Sequence, residues 1–261
     1  MAVTRPIVIK IGGSTLGSGD TALEDLVELQ AKGMPLVVVH GGGKIINEWI
    51  ARSDTIPQFV RGLRVTDEQT LDTVVAVLAG LVNKRLVAKI QSLGGKAIGL
   101  SGIDGVLLQC KQMRPELGFV GTVSKVNSEP VRVMMKAGYI PIIAPVASEY
   151  SIGTVRSEAI FNVNGDSVAG SLASDLQADR LIFLTDIEGV LDASKNLIPK
   201  LDPEQAKSLI ARGLATEGMI PKIESCLESL PNIRFAQIID GRKPHALLEC
   251  LSSSTMGTLV G

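Results

Sequence analysis

Two lysines offer the most direct chemistry in this sequence. Lys10 ends an apolar run and opens Lys10-Ile11-Gly12-Gly13-Ser14, and Lys222 ends Gly218-Met219-Ile220-Pro221-Lys222. A lysine beside paired glycines puts positive charge next to backbone N–H groups that can approach a phosphate closely. Lys222 lies in the first turn of a helical pattern, where a cation opposes the helix dipole and an anionic ligand would remove the conflict. Each segment also has a plainer reading, as a glycine turn at a strand end and a solvated surface lysine.

A second glycine loop, His40-Gly41-Gly42-Gly43-Lys44, follows another apolar run and precedes the helical segment Ile45–Ala51. It has neither the GxxxxGK[ST] spacing of a Walker loop nor the GxGxxG spacing of a dinucleotide fold. Its glycines before a helix suit an anion. Two such loops after successive strands point to one ligand site, because ligands of open parallel sheets bind beyond the carboxyl ends of the strands. Arg64, in Gly62-Leu63-Arg64-Val65-Thr66, precedes a long helix, and its guanidinium fork suits a carboxylate; Arg61 is a rival for that role. In Phe161-Asn162-Val163-Asn164-Gly165-Asp166, an extended backbone points both asparagines to one side. Asp166 then heads the helix Ser167–Leu176, either as its N-cap or as a carboxylate that holds two lysines in place. Thr185-Asp186-Ile187-Glu188-Gly189-Val190-Leu191-Asp192 is a polar turn after a further strand, at the edge where a nucleotide would sit.

The elements that position these residues alternate. Strand-like runs at Ile7–Ile11, Pro35–His40, Ala97–Ser101, Tyr139–Val146, Leu181–Thr185 and Ile233–Ile239 are rich in Val, Ile and Leu, as sheets covered on both faces require. Helical patterns lie between them, which is the signature of βαβ units. Leu23, Leu26, Val27 and Ala31 share one face, with Gly33 as a stop. Thr66 and Gln69 read as a capping box for a long helix carrying Leu71, Val74, Leu78, Val82 and Leu86 and ending near Gly94. Asp202 and Pro203 read as N-cap and first helical residue, with Gly213 beyond the end. Val106–Cys110 and Phe119–Val126 read as a hairpin beside the main sheet.

The balance of 26 basic and 27 acidic residues argues against a nucleic-acid protein. Two histidines, His40 and His245, exclude a histidine-rich metal site. Cys110, Cys226 and Cys250 form no CxxC pair and no disulfide framework, as expected of a reducing cytosol. Met1 to Arg5 lead directly into a strand, without a signal peptide, and no apolar run reaches membrane-spanning length. A cytoplasmic protein of one large α/β domain is the expectation.

The ordered set KIGGS, VVVHGGG, GLRVTD, VNKRL, GLSGIDG, FNVNGDSVAG, LTDIEGVLD, GMIPK and IIDGR resembles the amino acid kinase family, with GLRVTD and FNVN pointing to its acetylglutamate branch. The resemblance runs from about Val8 to Thr258. It implies a three-layer αβα sandwich around an open, mostly parallel sheet. One domain, 1–261, would divide into an N-terminal lobe, 1–170, for the amino acid and dimer contacts, and a C-terminal lobe, 171–261, for ATP. The implied reaction is transfer of the ATP γ-phosphoryl group, with Mg²⁺ carried by the nucleotide and no metal cage on the protein, to the γ-carboxylate of N-acetyl-L-glutamate in arginine biosynthesis. An N-acylated α-aminoadipate, one methylene longer, is the nearest alternative substrate. A non-catalytic nucleotide-binding regulator on the same fold is the alternative from another class. By position in the motifs, Lys10 and Lys222 match the lysines on the transferred phosphoryl group and the leaving side, and Asp166 the aspartate that orients both. Gly42, Gly43, Arg64 and Asn162 match substrate-binding positions. Gly12, Gly13, Asp186, Ile187, Glu188, Gly189, Val190 and Leu191, with Leu214, Ala215 and Thr216, match the nucleotide site. Arginine-regulated members carry a helix before KIGG; here nine residues precede Lys10, which favours a homodimer. The tail IIDGRKPHALL and GTLVG resembles the arginine-sensitive branch.

Overall fold

In the computed structural model, which describes residues 5–12, 21–53, 56–60, 62–149, 159–216, 218–253 and 256–261, the apolar runs pair into one sheet. Its eight strands lie in the order Lys200–Leu201, Thr258–Val260, Phe235–Asp240, Arg180–Thr185, Ile7–Ile11, Leu36–His40, Ile140–Ala144, Ala97–Ser101. All neighbours run parallel except Phe235–Asp240 against Thr258–Val260. The first strand lies inside the sheet: the chain leaves it towards Leu36–His40 on one side and later returns as Arg180–Thr185 on the other. That reversal opens a crevice beyond the carboxyl end of the first strand.

Alternation along the first strand feeds two cores. Val8 packs with Val37, Val39, Leu181 and Phe183 under the helices Gly165–Leu176 and Ile220–Ser229. Ile7, Ile9 and Ile11 pack on the opposite layer with Leu26, Val74, Val77 and Leu247. Lys10 shares the parity of Val8, so its side chain leaves the sheet on the face that carries helix Gly165–Leu176.

The strand expectations hold for Ile7–Ile11 and Ala97–Ser101 and shift by one or two residues elsewhere. Tyr139–Val146 is corrected: it is two strands, Ile140–Ala144 in the main sheet and Val146–Ser148 outside it. Pro145 has no N–H to continue the ladder, and its carbonyl instead accepts from the Val163 N–H at 3.0 Å. The hairpin forms from Leu108–Gln112 and Val120–Val126, and closes with Val146–Ser148 and Ile160–Val163 into a four-stranded barrel. The Thr66 capping box is also corrected. Asp67 is the N-cap of Glu68–Val75 and accepts from the Thr70 N–H at 2.8 Å, while the buried Thr66 hydroxyl donates to the Arg64 carbonyl. The long helix continues through a π-helical stretch, Ala76–Val82, into Asn83–Ser92. Asp202 caps Pro203–Ala211 as expected, with Gln205 completing a capping box. The three cysteines are buried and free.

Candidate active site

The parallel register aligns the strand ends. Ile11 pairs with His40 on one side and Leu184 on the other, so Gly12, Gly41 and Asp186 stand side by side at the sheet edge. Gly41 is tied across the crevice by its N–H to the Ile11 carbonyl at 2.9 Å, and Gly12 by its N–H to the Leu184 carbonyl at 3.3 Å.

Asp166 stands over this edge, and its place corrects the expected helix boundary. The helix begins at Gly165, not Ser167, and Asn164 is its cap, accepting from the Asp166 and Ser167 N–H groups at 2.8 and 3.2 Å. The Asp166 carboxylate is thereby free of capping duty. Lys10 Nζ lies 2.7 Å from Oδ1, and Lys222 Nζ lies 3.1 Å from Oδ2. All three side chains are buried or nearly so, at 10%, 17% and 7% exposure for Lys10, Lys222 and Asp166. Burial alone would raise the Asp166 carboxyl, but the two ammonium groups outweigh it and hold the group below its ordinary range. The three groups carry a net charge of +1 in a low-dielectric crevice. Lys222 is steered there by the turn before its helix, where its Nζ also donates to the Gly218 carbonyl at 3.0 Å.

Next to this cluster is a pocket of about 210 Å³ lined by Gly41, Gly42, Gly43, Arg64, Asn162 and Gly165 among others. Helix Gly43–Ile50 points its N-terminus at the pocket, and no side chain among the described residues caps it. A Cβ on Gly42 would lie 2.6 Å from Leu78 Cδ2, so a larger residue there would need the Leu78 side chain to move. Arg64 is 8% exposed and packs its guanidinium 4.8 Å from the centre of the Phe59 ring. One Nη donates to the Asn47 side chain and the Gly43 carbonyl, whereas buried Nη1 has no partner among the described residues. Desolvation lowers the Arg64 pKa. A buried guanidinium with an idle N–H pair is half of a bidentate carboxylate site. Asn162 reaches the same wall. Its Nδ2 donates to Thr66 Oγ1 at 3.2 Å, which donates in turn to the Arg64 carbonyl at 3.0 Å, so barrel and arginine loop are tied together. Asn162 and Asn164 both line the pocket, but Asn164 is committed to its helix cap.

Of the other expected residues, Gly13 and Arg61 lie outside the described residues. Asp186 and Glu188 are exposed at the strand end, and Gly189 and Val190 are buried. Gly189 has φ 153°, and a Cβ there would meet Thr258 Oγ1 at 2.6 Å. Thr258 Oγ1 accepts from the Val190 N–H at 2.8 Å. The C-terminal strand therefore shapes the Asp186–Leu191 turn, which local sequence could not reveal. Leu214 to Thr216 precede the Lys222 helix, and the Thr216 carbonyl accepts from Met219 and Ile220. Asp240, paired in register with Thr185, holds Arg242 through Nε at 2.9 Å and Nη2 at 2.8 Å. This ion pair adjoins the turn and had no role in the sequence reading. A strand ending in Asp-Gly-Arg beside the Thr185 strand was its only signal.

A model of the amino acid kinase family matches residues 5–234. The chain belongs to the amino acid kinase family. Among its relatives, the acetylglutamate kinase of Clostridioides difficile is 44% identical, the match covering 98% of this chain and 91% of that protein. The acetylglutamate kinase of Synechococcus elongatus is 43% identical over 98% of this chain and 86% of its own length. Among solved structures, a Streptococcus mutans protein is 30% identical over 97% of both chains with a TM-score of 0.82. N-acetylglutamate synthase from Neisseria gonorrhoeae, crystallised with coenzyme A and N-acetyl-glutamate, is 26% identical with a TM-score of 0.84, over 98% of this chain and 59% of that one. The chain shares with these structures an α/β fold around a mostly parallel sheet, and carries its small barrel beside that sheet.

Proposed function

We propose that this chain phosphorylates the γ-carboxylate of N-acetyl-L-glutamate with ATP, the acetylglutamate kinase reaction of arginine biosynthesis. The observation that carries the reading is the meeting of Lys10 and Lys222, 212 residues apart in sequence, on one buried carboxylate beside a pocket whose arginine has an N–H pair with no partner among the described residues. Relatives named for this activity, 43–44% identical over nearly the whole chain, support it.

The reaction asks little of acid–base chemistry. A γ-carboxylate is ionised at pH 7, having a pKa near ~4.3, and needs no general base. Its oxygen attacks the γ-phosphorus of ATP, the bond from that phosphorus to the bridging oxygen breaks, and acyl phosphate and ADP result. The obstacle is repulsion between two anions and the charge spread over the phosphoryl oxygens. Lys10 would face the transferred group and Lys222 the leaving side, with Asp166 fixing both. The Gly42 and Gly43 N–H groups at the uncapped helix end would receive oxygen atoms of the acceptor, Arg64 would grip the α-carboxylate, and Asn162 the acetamido group. The turn Asp186–Leu191 and Leu214–Thr216 would hold the nucleotide. Among the described residues no cluster of three or more acidic, His or Cys side chains could hold a metal. Mg²⁺ would ride on the ATP phosphates, where it neutralises charge. In this reading residues 1–170 bind the amino acid, 171–261 bind ATP, and the protein works as a homodimer in the cytoplasm. Among the described residues no helix is long and apolar enough to cross a membrane.

Steady-state kinetics with N-acetyl-L-glutamate and an N-acyl-α-aminoadipate in parallel test the substrate. One methylene is worth ~1–3 kcal/mol of discrimination, so kcat/KM should favour the shorter acid by at least about tenfold. A preference for the longer acid overturns the assignment. Light scattering at twice the 27.5 kDa chain mass would support the dimer, and the single mass would remove it.

A further inference from the structure

Transfer, as read above, uses the glycine loop but assigns nothing to the residues beneath it. His40 and Asn83 are both fully buried there, and their hydrogen bonds fix one another. Asn83 begins the α-helical stretch that follows the π-helical turns. Its Nδ2 faces the Ile142 carbonyl at 2.8 Å and the Leu100 carbonyl at 3.3 Å, while its Oδ1 accepts from Lys84 Nζ at 3.1 Å. Two carbonyls on one side and an ammonium on the other settle which end of the amide is nitrogen. The same Nδ2 lies 3.2 Å from His40 Nε2; an amide nitrogen cannot accept, so that ring nitrogen faces it without a proton, sharing the two amide hydrogens with the carbonyls. The ring proton is then on Nδ1, which lies 3.0 Å from the Gly41 carbonyl and donates to it. Burial, with Lys10 and Lys84 nearby, lowers the His40 pKa to about 4, so the ring is neutral and unsuited to act as a base at pH 7. The site was built for this pair: a Cβ at Gly99 would collide with the Asn83 amide.

Gly41 is thus held on both sides: its N–H, in the His40–Gly41 peptide, on the Ile11 carbonyl, and its C=O, in the Gly41–Gly42 peptide, on His40. In a planar trans peptide the carbonyl and the following N–H point in opposite directions. A Gly41 carbonyl drawn down onto His40 turns the Gly42 N–H up, towards the pocket that Gly42 lines. We propose that His40, locked by Asn83 as the Nδ1–H tautomer, is a positioning residue that aims the Gly42 N–H at the acceptor oxygens during phosphoryl transfer. The proposal rests on the kinase reading above and gives the Val82–Leu86 segment a task. An aimed donor acts on charge that develops in the transition state, so its loss appears in kcat more than in KM.

Three measurements test it. First, a two-bond ¹⁵N–¹H correlation spectrum of wild-type protein at pH 7 should show His40 as the Nδ1–H tautomer; an Nε2–H form overturns the proposal, whatever the substrate. Second, H40L should lower kcat by about 10²-fold, the scale of a misplaced group, with both KM values within about threefold. Third, H40N places an amide N–H near the former Nδ1 and should recover most of the turnover lost in H40L. Full turnover in H40L, or H40N as slow as H40L when both melt alike, leaves His40 only a packing role and overturns the proposal. Wild-type protein that turns over no acidic amino acid contradicts the kinase reading instead, and the tautomer spectrum still decides the His40–Asn83 arrangement.

Discussion

Each residue of the cluster carries a separable consequence. A preorganised cationic or N–H donor is worth about 10²–10³ in rate. Lys10→Ala and Lys222→Ala should each lower kcat by about that factor, and near-normal turnover in either would remove that lysine from the mechanism. Arg64 acts elsewhere. Its idle Nη1 is available to the ground-state carboxylate, so Arg64→Ala should chiefly raise KM for N-acetylglutamate. A change confined to KM for ATP would contradict the anchor role. His40 also makes stability depend on pH. Its folded pKa of about 4 lies below the ordinary 6.5, so the unfolded chain binds the extra proton between those values. Its contribution is complete above pH 6.5 and is lost as pH falls towards 4. Denaturant unfolding should show H40L losing less stability than wild type over that interval. The residue types and their spacing were legible in the sequence only as a set, because each glycine turn, lysine or arginine alone also has a plainer use. Which of Asn164 and Asp166 caps the helix was not, because both favour that position and only the lysines, distant in sequence, decide it.

The elements that matter most are two helices in close contact. Gly165–Leu176 carries Asp166 and Ile220–Ser229 carries Lys222, and they touch where Gly170 meets Ser225. A Cβ at Gly170 would lie 2.9 Å from the Ser225 carbonyl oxygen. Gly170→Ala should therefore push the helices apart, costing ~1–3 kcal/mol of stability and lengthening the Lys222–Asp166 contact, with kcat falling more than KM. Unchanged unfolding and unchanged kcat would show that the contact relaxes freely. Six of the eight strands of the main sheet could be read from composition, since runs buried on both faces are rich in Val, Ile and Leu, whereas the short strands Lys200–Leu201 and Thr258–Val260 at one edge were not read. The barrel could not. Its closure joins Ile160–Val163 to Val120–Val126 and Val146–Ser148, pairings that leave no local periodicity. The π-helical turns at Ala76–Val82, between two α-helical stretches, were not read from the sequence either.

At the scale of the molecule, strand order brings the chemistry together. The first strand sits between Leu36–His40 and Arg180–Thr185, so Gly12, the Gly41–Gly43 loop and the acidic turn meet at one crevice, with the barrel as the outer wall of the pocket beside it. The central claim is that the lysine pair in this crevice moves a phosphoryl group onto a carboxylate. The most direct measurement is trapping of the acyl phosphate with hydroxylamine, using purified protein, MgATP and N-acetyl-L-glutamate. Hydroxamate should accumulate in proportion to enzyme and fall about 10²–10³-fold in Lys10→Ala and Lys222→Ala. Wild-type protein that binds ATP and N-acetylglutamate by thermal shift yet forms no hydroxamate would contradict the account.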